Sequence, residues 1–435
     1  MESTAELSQF ASGVQKYPNF LRSYGDQVTR NPYDEVNNPQ GILKLGIAEN
    51  KLTEEIIIKR LSAPDMHVVT PDMLYYFNYI GEKSFRNAIA EFITERFHTR
   101  KPVDPDDVLV INGCGTALEQ LPAAVADPGD FFLCPSPVYS SVHANAELRM
   151  KVKCFDVPLK SKASDAAIRP FQLTLAQIEG SYNEAIKLGL KVKGIFLINP
   201  CNPTGEICSR DLLTEILNFA KSRCLHVIVD EIYALSVFDS EARFHSVLSL
   251  PDLPDPQRTH VLWGFSKDFS LSGFRCGVVV TQNVHIKAHL NNVAYYQCTP
   301  PILQNMLRIM LSDKEWLDRT YFPTKLKLTR EGFASAVKEL SDVGVKCHPS
   351  QAAFFLWADF SAFLSSSDRD GEMELFQRFL SAGVYVVPGT SMFCTEPGWF
   401  RITFTLPKPY FQEGLRRIKT ILNESRQHRP KPPNI

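Results

Sequence analysis

Gly194–Gly205 reads GIFLINPCNPTG, His226–Tyr233 reads HVIVDEIY and Thr259–Lys267 reads THVLWGFSK. Each is a short run of β-branched, leucine and aromatic residues that stops at a cluster of polar side chains. Runs that are nearly all apolar, rather than alternating, mark strands buried on both faces. DVLVIN, DFFLCP and CGVVVT, starting at Asp107, Asp130 and Cys276, have the same texture. Helical patterns lie between them. In DLLTEILNFAKS, Leu212, Ile216 and Phe219 share a face and Ser209 stands where an N-cap belongs. From Glu82 to His98, Phe85, Ile89 and Phe92 or Ile93 recur at helical spacing. Strands alternating with helices predict βαβ units and an α/β fold with a mostly parallel sheet.

Outward from this centre the texture changes. QAAFFLWADF, EMELFQRFL, GVYVVPG and WFRITFT, all in the last third, predict a smaller α+β domain. The first forty residues are polar and turn-rich (NPYDEVNNPQG) and show too little periodicity for helix or strand. RQHRPKPPNI, at the end, has three prolines and little to bury, so disorder is expected. The expected division is an N-terminal segment (1–50) joining the small domain, a large domain (51–314), a small C-terminal domain (315–425) and a tail (426–435).

Composition excludes several classes of function. The chain has 435 residues, with 47 Lys and Arg against 48 Asp and Glu, a net charge of −1. Nothing in that balance draws it to nucleic acid or an anionic membrane. No apolar run approaches the ~18 residues of a membrane span. The opening Met-Glu-Ser-Thr-Ala-Glu resembles neither a secretory signal nor a transit peptide, so a cytoplasmic protein is expected. The ten cysteines form no C-x-x-C pair and no zinc-like spacing with histidine. They read as small hydrophobes, with no metal site expected.

In open α/β sheets, ligands bind beyond the carboxyl ends of the strands. Those ends are furnished with Gly115 and Thr116, Asn199 and Asn202, Asp230 and Tyr233, and Ser266 and Lys267. A helix starting near Thr116 offers free N–H groups and a positive dipole end to a phosphate. NGCGTAL is not the G-x-G-x-x-G dinucleotide fingerprint. Lys267 supplies an amine able to form a Schiff base, and Asp230 a carboxylate able to keep a pyridine nitrogen protonated. Those are the requirements of pyridoxal 5′-phosphate.

INPCNPTG (Ile198 to Gly205), DEIY (Asp230 to Tyr233) and SKDFSLSGFR (Ser266 to Arg275) resemble, in that order, the signature of fold-type I pyridoxal-phosphate enzymes, the aspartate aminotransferase superfamily. The likeness runs from roughly Asn31 to Arg401. NPYDEVNNPQGILKLGIAENKL (Asn31 to Leu52) and CTEPGWFR (Cys394 to Arg401) resemble 1-aminocyclopropane-1-carboxylate (ACC) synthases. KVKGIFLINPCNP, LHVIVDEIYALSVF and LPDPQRTHVLW look more like the animal ACC synthase-like proteins than the plant enzymes.

The resemblance implies a large cofactor-binding domain with a seven-stranded sheet, a homodimer, and a role for each matching residue. Lys267 would hold pyridoxal phosphate and serve as base at the substrate Cα. Asp230 would pair with the ring nitrogen, Asn202 and Tyr233 with the phenolic oxygen, and Tyr139 would stack on the ring. Gly115, Thr116, Ser266 and Arg275 would hold the phosphate, and Tyr79 would reach the phosphate of the neighbouring subunit. Arg401 would clamp the substrate α-carboxylate, and Glu49 would stand beside the substrate.

The chain departs from the family pattern at three places. Gly264 replaces the serine or threonine usual three residues before the lysine. Cys114 stands where plant enzymes have glycine. A substrate-contacting tyrosine near Phe20 has only Asn19 or Tyr24 as counterparts. The expected activity is conversion of S-adenosylmethionine to ACC and methylthioadenosine by α,γ-elimination. The alternatives are an aminotransferase, a carbon–sulfur lyase of other amino acids, or a catalytically silent homologue.

Overall fold

The computed structural model describes residues 7–18, 20–162 and 168–427. Its centre is a seven-stranded sheet of β2 (Val108–Ile111), β3 (Phe131–Ser136), β4 (Lys153–Pro158), β5 (Val192–Ile198), β6 (His226–Asp230), β7 (Thr259–Gly264) and β8 (Gly277–Val280), numbered after a two-residue β1 (Leu43–Lys44). The spatial order is β2-β8-β7-β6-β5-β3-β4. Only β8 runs against its neighbours, pairing antiparallel with β2 and β7. The α/β fold and mostly parallel sheet are as the sequence implies.

The all-apolar strands are explained by two cores. Val108, Val110, Val227, Val229, Val261 and Trp263 face one core. Leu109, Ile111, Ile228 and Leu262 face the other. Helices cover both faces, so no strand position can be polar without a buried partner. The helix Arg210–Ser222 begins as expected, Ser209 Oγ accepting from the Leu212 amide at 3.2 Å. Its most buried turn is Leu213, Ile216 and Leu217, one residue round from the predicted face.

A second sheet joins β9 (Lys346–Cys347), β10 (Phe355–Asp359), β12 (Val387–Pro388) and β13 (Trp399–Thr403) in the order β12-β13-β10-β9. β1 pairs in parallel with β11 (Val384–Tyr385), Leu43 opposite Val384. Val28, Ile42, Leu43 and Leu45 are buried in the same core as Leu356, Phe376 and Phe400.

Two expectations at the termini need correction. The first forty residues contain the helices Gln9–Lys16 and Phe20–Arg30. Their apolar stripe is narrow: Phe20 and Tyr24 pack on Phe376 and Val28 is buried, one residue per turn amid polar neighbours. The expected tail starts inside the helix Lys408–Gln427; residues 428–435, like Asn19, lie outside the described residues. Among the described residues no helix is long and apolar enough to cross a membrane.

Candidate active site

The carboxyl ends of β5, β6 and β7 open into a cavity of about 320 Å³. Its wall gathers Gly115, Tyr139, Asn202, Asp230, Tyr233, Ser266, Lys267, Arg275 and Arg401. These residues come from separate stretches of chain. Gly115, Tyr139, Asn202, Asp230, Tyr233, Ser266 and Lys267 stand at or just beyond the ends of β2, β3, β5, β6 and β7. Arg275 just precedes the antiparallel β8, and Arg401 comes from β13 of the second sheet.

Lys267 sits on the single turn Phe265–Asp268 that ends β7. Its neighbour Asp268 anchors the turn. The fully buried carboxylate accepts from Trp263 Nε1 at 3.0 Å, Ser236 Oγ at 2.7 Å and the Leu235 amide at 3.0 Å, with the Lys325 ammonium at 3.4 Å. So held, the turn aims Lys267 into the cavity, where Nζ donates to the Ala48 carbonyl at 2.6 Å. Burial lowers the amine pKa to about 8; Arg401 and Arg275 add to that, while Glu49 opposes it. An amine so placed loses its proton far more readily than a surface lysine.

Asp230 ends β6 and accepts from the Ile232 amide at 3.1 Å. Burial raises its pKa to about 6, against the Ile232 hydrogen bond and the charge of Lys267. Burial likewise raises the Tyr233 phenol, whose oxygen has no hydrogen-bond partner. Arg401, on β13, is buried; Nη1 donates to Asn202 Oδ1 at 2.8 Å and Nη2 to the Gly46 carbonyl at 2.7 Å, leaving Nε unpartnered. Buried polar atoms normally have partners. Two such orphans in one cavity wall mark a space shaped for a polar guest.

At the mouth, the helix Cys114–Val125 presents its N-terminus beside Ser266 and Arg275. The guanidinium lies so close to Gly113 (φ 81°) that a Cβ there would stand 2.6 Å from Nη2. Only glycine satisfies both that backbone angle and that approach. Helix dipole and guanidinium therefore point at one spot, a ready anion cradle.

Four residues singled out in the sequence stand outside the cavity wall, among them Asn199, which donates to the His245 carbonyl at 3.1 Å and accepts from the Cys208 amide at 2.9 Å. The Thr116 hydroxyl donates to the Asn112 carbonyl at 3.0 Å. Glu49 Oε1 accepts from the Ser272 hydroxyl at 3.2 Å, and Ser272 is itself in the wall. Tyr79 packs edge-on against Phe77 and Tyr295. Conversely, Gly46, Ile47, Ala48, Cys114, Leu118, Asn145, Ser272 and Tyr385 line the cavity without having been expected. Ala48 contributes a carbonyl, which no side-chain pattern reveals. Of the two tyrosine counterparts, Tyr24 is turned to Gln377, whose Nε2 donates to its hydroxyl at 2.9 Å.

The two departures near the phosphate end are coupled. A Cβ on Gly264 would lie 3.2 Å from Cys114 Sγ and 2.8 Å from the Cys276 carbonyl, and Cys114 Sγ donates to the Trp263 carbonyl at 3.0 Å. The cysteine thus takes part of the room a serine would need. Gly264→Ser is expected to destabilise the protein by about 1–3 kcal/mol through overpacking. Adding Cys114→Gly should return part of the loss, not all, because the Cys276 carbonyl stays. Urea midpoints of the two single variants and the double variant check this; purely additive losses would refute the coupling.

The sequence profile of aminotransferase class I and II matches residues 40–418. The bovine 1-aminocyclopropane-1-carboxylate synthase-like protein 1 is 37% identical over 90% of this chain and 78% of its own length. The mouse protein named "Probable inactive 1-aminocyclopropane-1-carboxylate synthase-like protein 2" is 35% identical over 98% of this chain and 73% of its own. In structure, an aspartate aminotransferase from Thermotoga maritima superposes with a TM-score of 0.72 at 24% identity, covering 96% of this chain and 100% of that one. The chain belongs to the class I and II aminotransferase family of pyridoxal-phosphate proteins, among its ACC synthase-like members.

Proposed function

We propose that the chain is a pyridoxal-phosphate enzyme that moves a proton at the Cα of an amino-acid substrate and forms ACC from S-adenosylmethionine. The observation that carries this reading is the convergence of Lys267, Asp230 and Arg401 on one cavity. The residues fit the cofactor chemically. Asp230 is a buried carboxylate calling for a cation, as a pyridinium nitrogen would be. The Tyr233 hydroxyl and Asn202 would hold the phenolic oxygen, and Tyr139 would cover a ring face. The Gly115 end of the helix with Ser266 and Arg275 would take the phosphate, Thr116 supporting that turn from behind.

Once bound, pyridoxal phosphate supplies an electron sink for a carbanion at Cα. The chain does the rest. Arg401 holds the α-carboxylate and so presents the Cα–H bond to Lys267. Nζ of Lys267, neutral above about pH 8, takes that proton. In the ACC-forming reaction the Cα–Cγ bond forms, the Cγ–S bond breaks and methylthioadenosine leaves with the electron pair.

The second reading, transamination or carbon–sulfur cleavage of other amino acids, uses the same Lys267 and Arg401, and the mouse relative's name keeps a silent homologue in view. Incubation with S-adenosylmethionine and, separately, an amino-acid panel decides between them. ACC supports the first reading, a keto acid the second, and no turnover of anything by cofactor-loaded protein sinks both.

Glu49 supports the first reading. Its charge reaches Lys267, and a carboxylate near the reacting centre suits the sulfonium of S-adenosylmethionine. Glu49→Gln is expected to slow the S-adenosylmethionine reaction by one or more powers of ten, each worth about 1.4 kcal/mol. Transamination of neutral amino acids should be unchanged or improved. Loss of transamination alone would overturn the sulfonium argument.

We also propose a homodimer with shared sites. Tyr79 packs on Tyr295, which packs on Tyr296 (81% exposed), and lies near Tyr76 (88% exposed); exposed aromatics grouped in this way suit a contact surface. The patch abuts the phosphate end, since the Asn112 amide donates to the Gln297 carbonyl at 2.8 Å. Mixing Tyr79→Phe with Lys267→Ala subunits is expected to restore part of the activity. No recovery despite proven subunit exchange would count against sharing.

A further inference from the structure

Three residues too far apart in sequence to read as a motif meet behind the cavity wall. β3 and β4 pair in parallel with Cys134 opposite Asp156, and Cys154 stands two residues before Asp156 on the same face of the pleat. The helix Ser141–Glu147 packs on that face through Val142 and Ala146, sharing a core with Phe132 and Cys134. It brings His143 down onto the two cysteines. The two Sγ atoms and a ring nitrogen of His143 lie within 4.8 Å of one another. Asp156 Oδ1 is 3.2 Å from His143 Nε2, off the line a hydrogen bond needs, and both atoms are buried without a hydrogen-bond partner. The Phe393 ring lies flat on the imidazole, centroids 3.7 Å apart, and fixes its plane.

We propose that Cys134, Cys154 and His143 form a zinc site, with Asp156 beside the imidazole. Two thiolates and an imidazole are three of the donors that zinc takes tetrahedrally. With bonds of ~2.0–2.3 Å, a tetrahedral shell spans ~3.3–3.8 Å from ligand to ligand, so small side-chain rotations close this one. None of the three donors lines the cavity that holds Lys267, which makes the role structural rather than catalytic. β3 runs on to Tyr139, and the helix carrying His143 also carries Asn145, both in the cavity wall. Zinc would fasten that wall from behind.

The test uses the full chain loaded with pyridoxal phosphate, stripped by a strong chelator and titrated with Zn²⁺ and, separately, Co²⁺. Expected are one zinc per chain, a higher melting temperature, protection of Cys134 and Cys154 from alkylation, and cobalt absorption in the red typical of tetrahedral thiolate coordination. Cys154→Ser and His143→Gln should each weaken zinc binding at least tenfold and abolish the melting shift. Cys224→Ser, at an exposed cysteine, should change nothing. Cys154 is only partly buried, on an edge strand, so its variant keeps the test open if Cys134→Ser does not fold. No zinc bound by the wild type, equal binding by Cys154→Ser and His143→Gln, or a Cys134–Cys154 disulfide in freshly purified protein would each overturn the proposal.

Discussion

Lys267→Ala is expected to lower turnover of any amino-acid substrate by three or more powers of ten, about 4 kcal/mol or more in the barrier. Removing a positioned general base alone typically costs 10²–10⁴-fold, and here the same amine would anchor the cofactor. Among the described residues the cavity wall holds no second lysine, and the buried amine of Lys325 is tied to Asp268 and Ser236 behind the turn. Borohydride reduction of the loaded wild type should fix the cofactor to Lys267, and the variant should release it on denaturation. The pH dependence has a definite sign. A lysine amine lowered from 10.5 to about 8 is nucleophilic at pH values where a surface lysine is charged. Capture of added pyridoxal phosphate should therefore rise with pH and level off above about 8. Between about 8 and 10.5 the unfolded chain holds that proton and the folded protein does not. The cofactor-free protein should thus gain stability as pH rises through that window, a gain Lys267→Ala removes. A variant that still turns over within tenfold of wild type would sink the assignment.

The sheet was legible in the sequence wherever a strand is buried on both faces, because burial leaves no room for polar residues. β4 was missed for the converse reason. It is an edge strand, and Lys153–Pro158 mixes lysine and aspartate with cysteine, phenylalanine and valine, so it carries neither a continuous nor an alternating pattern. The N-terminal helices were missed because one apolar residue per turn is too thin a stripe to count. At the cavity, the side chains at strand ends could be read directly, since the fold class dictates where those ends converge. Tyr385, Asn145, Ser272 and the Ala48 carbonyl could not. Asn145 reaches the cavity through the packing of its helix against β3, and Ser272 through the turn Ser272–Phe274. Tyr385 reaches it through the pairing of β11 with β1, and Ala48 through the segment Gly46–Lys51, where the Lys51 amide donates to the Thr405 carbonyl at 2.8 Å. The Cys134–His143–Cys154 cluster was hidden for a related reason. Its members lie on three successive elements, and only the β3–β4 register puts them on one face.

Arg401→Lys is expected to weaken substrate binding by two or more powers of ten, about 3 kcal/mol, with kcat changed far less. Arg401 is a buried cation whose hydrogen bonds go to a neutral amide and a carbonyl. Its guanidinium lies over the Phe355 ring, 5.2 Å from the centroid, and burial works against its charge. Among the described residues it makes no ion pair with a carboxylate. An unpaired buried charge is costly, so the protein bears that cost for a partner that arrives with the substrate. The bonds to Asn202 and Gly46 hold the fork in one plane, which suits two parallel bonds to a carboxylate. A lysine can carry the charge but not the fork. A paired experiment separates this role from general damage. Replacing the α-carboxylate of the substrate by an amide should cost the wild type about the same two powers of ten, but cost Arg401→Lys little more. The two losses would then be less than additive, as expected when both remove one interaction. If they add in full, Arg401 holds the cavity together rather than the carboxylate, and the substrate's anion must be bound elsewhere.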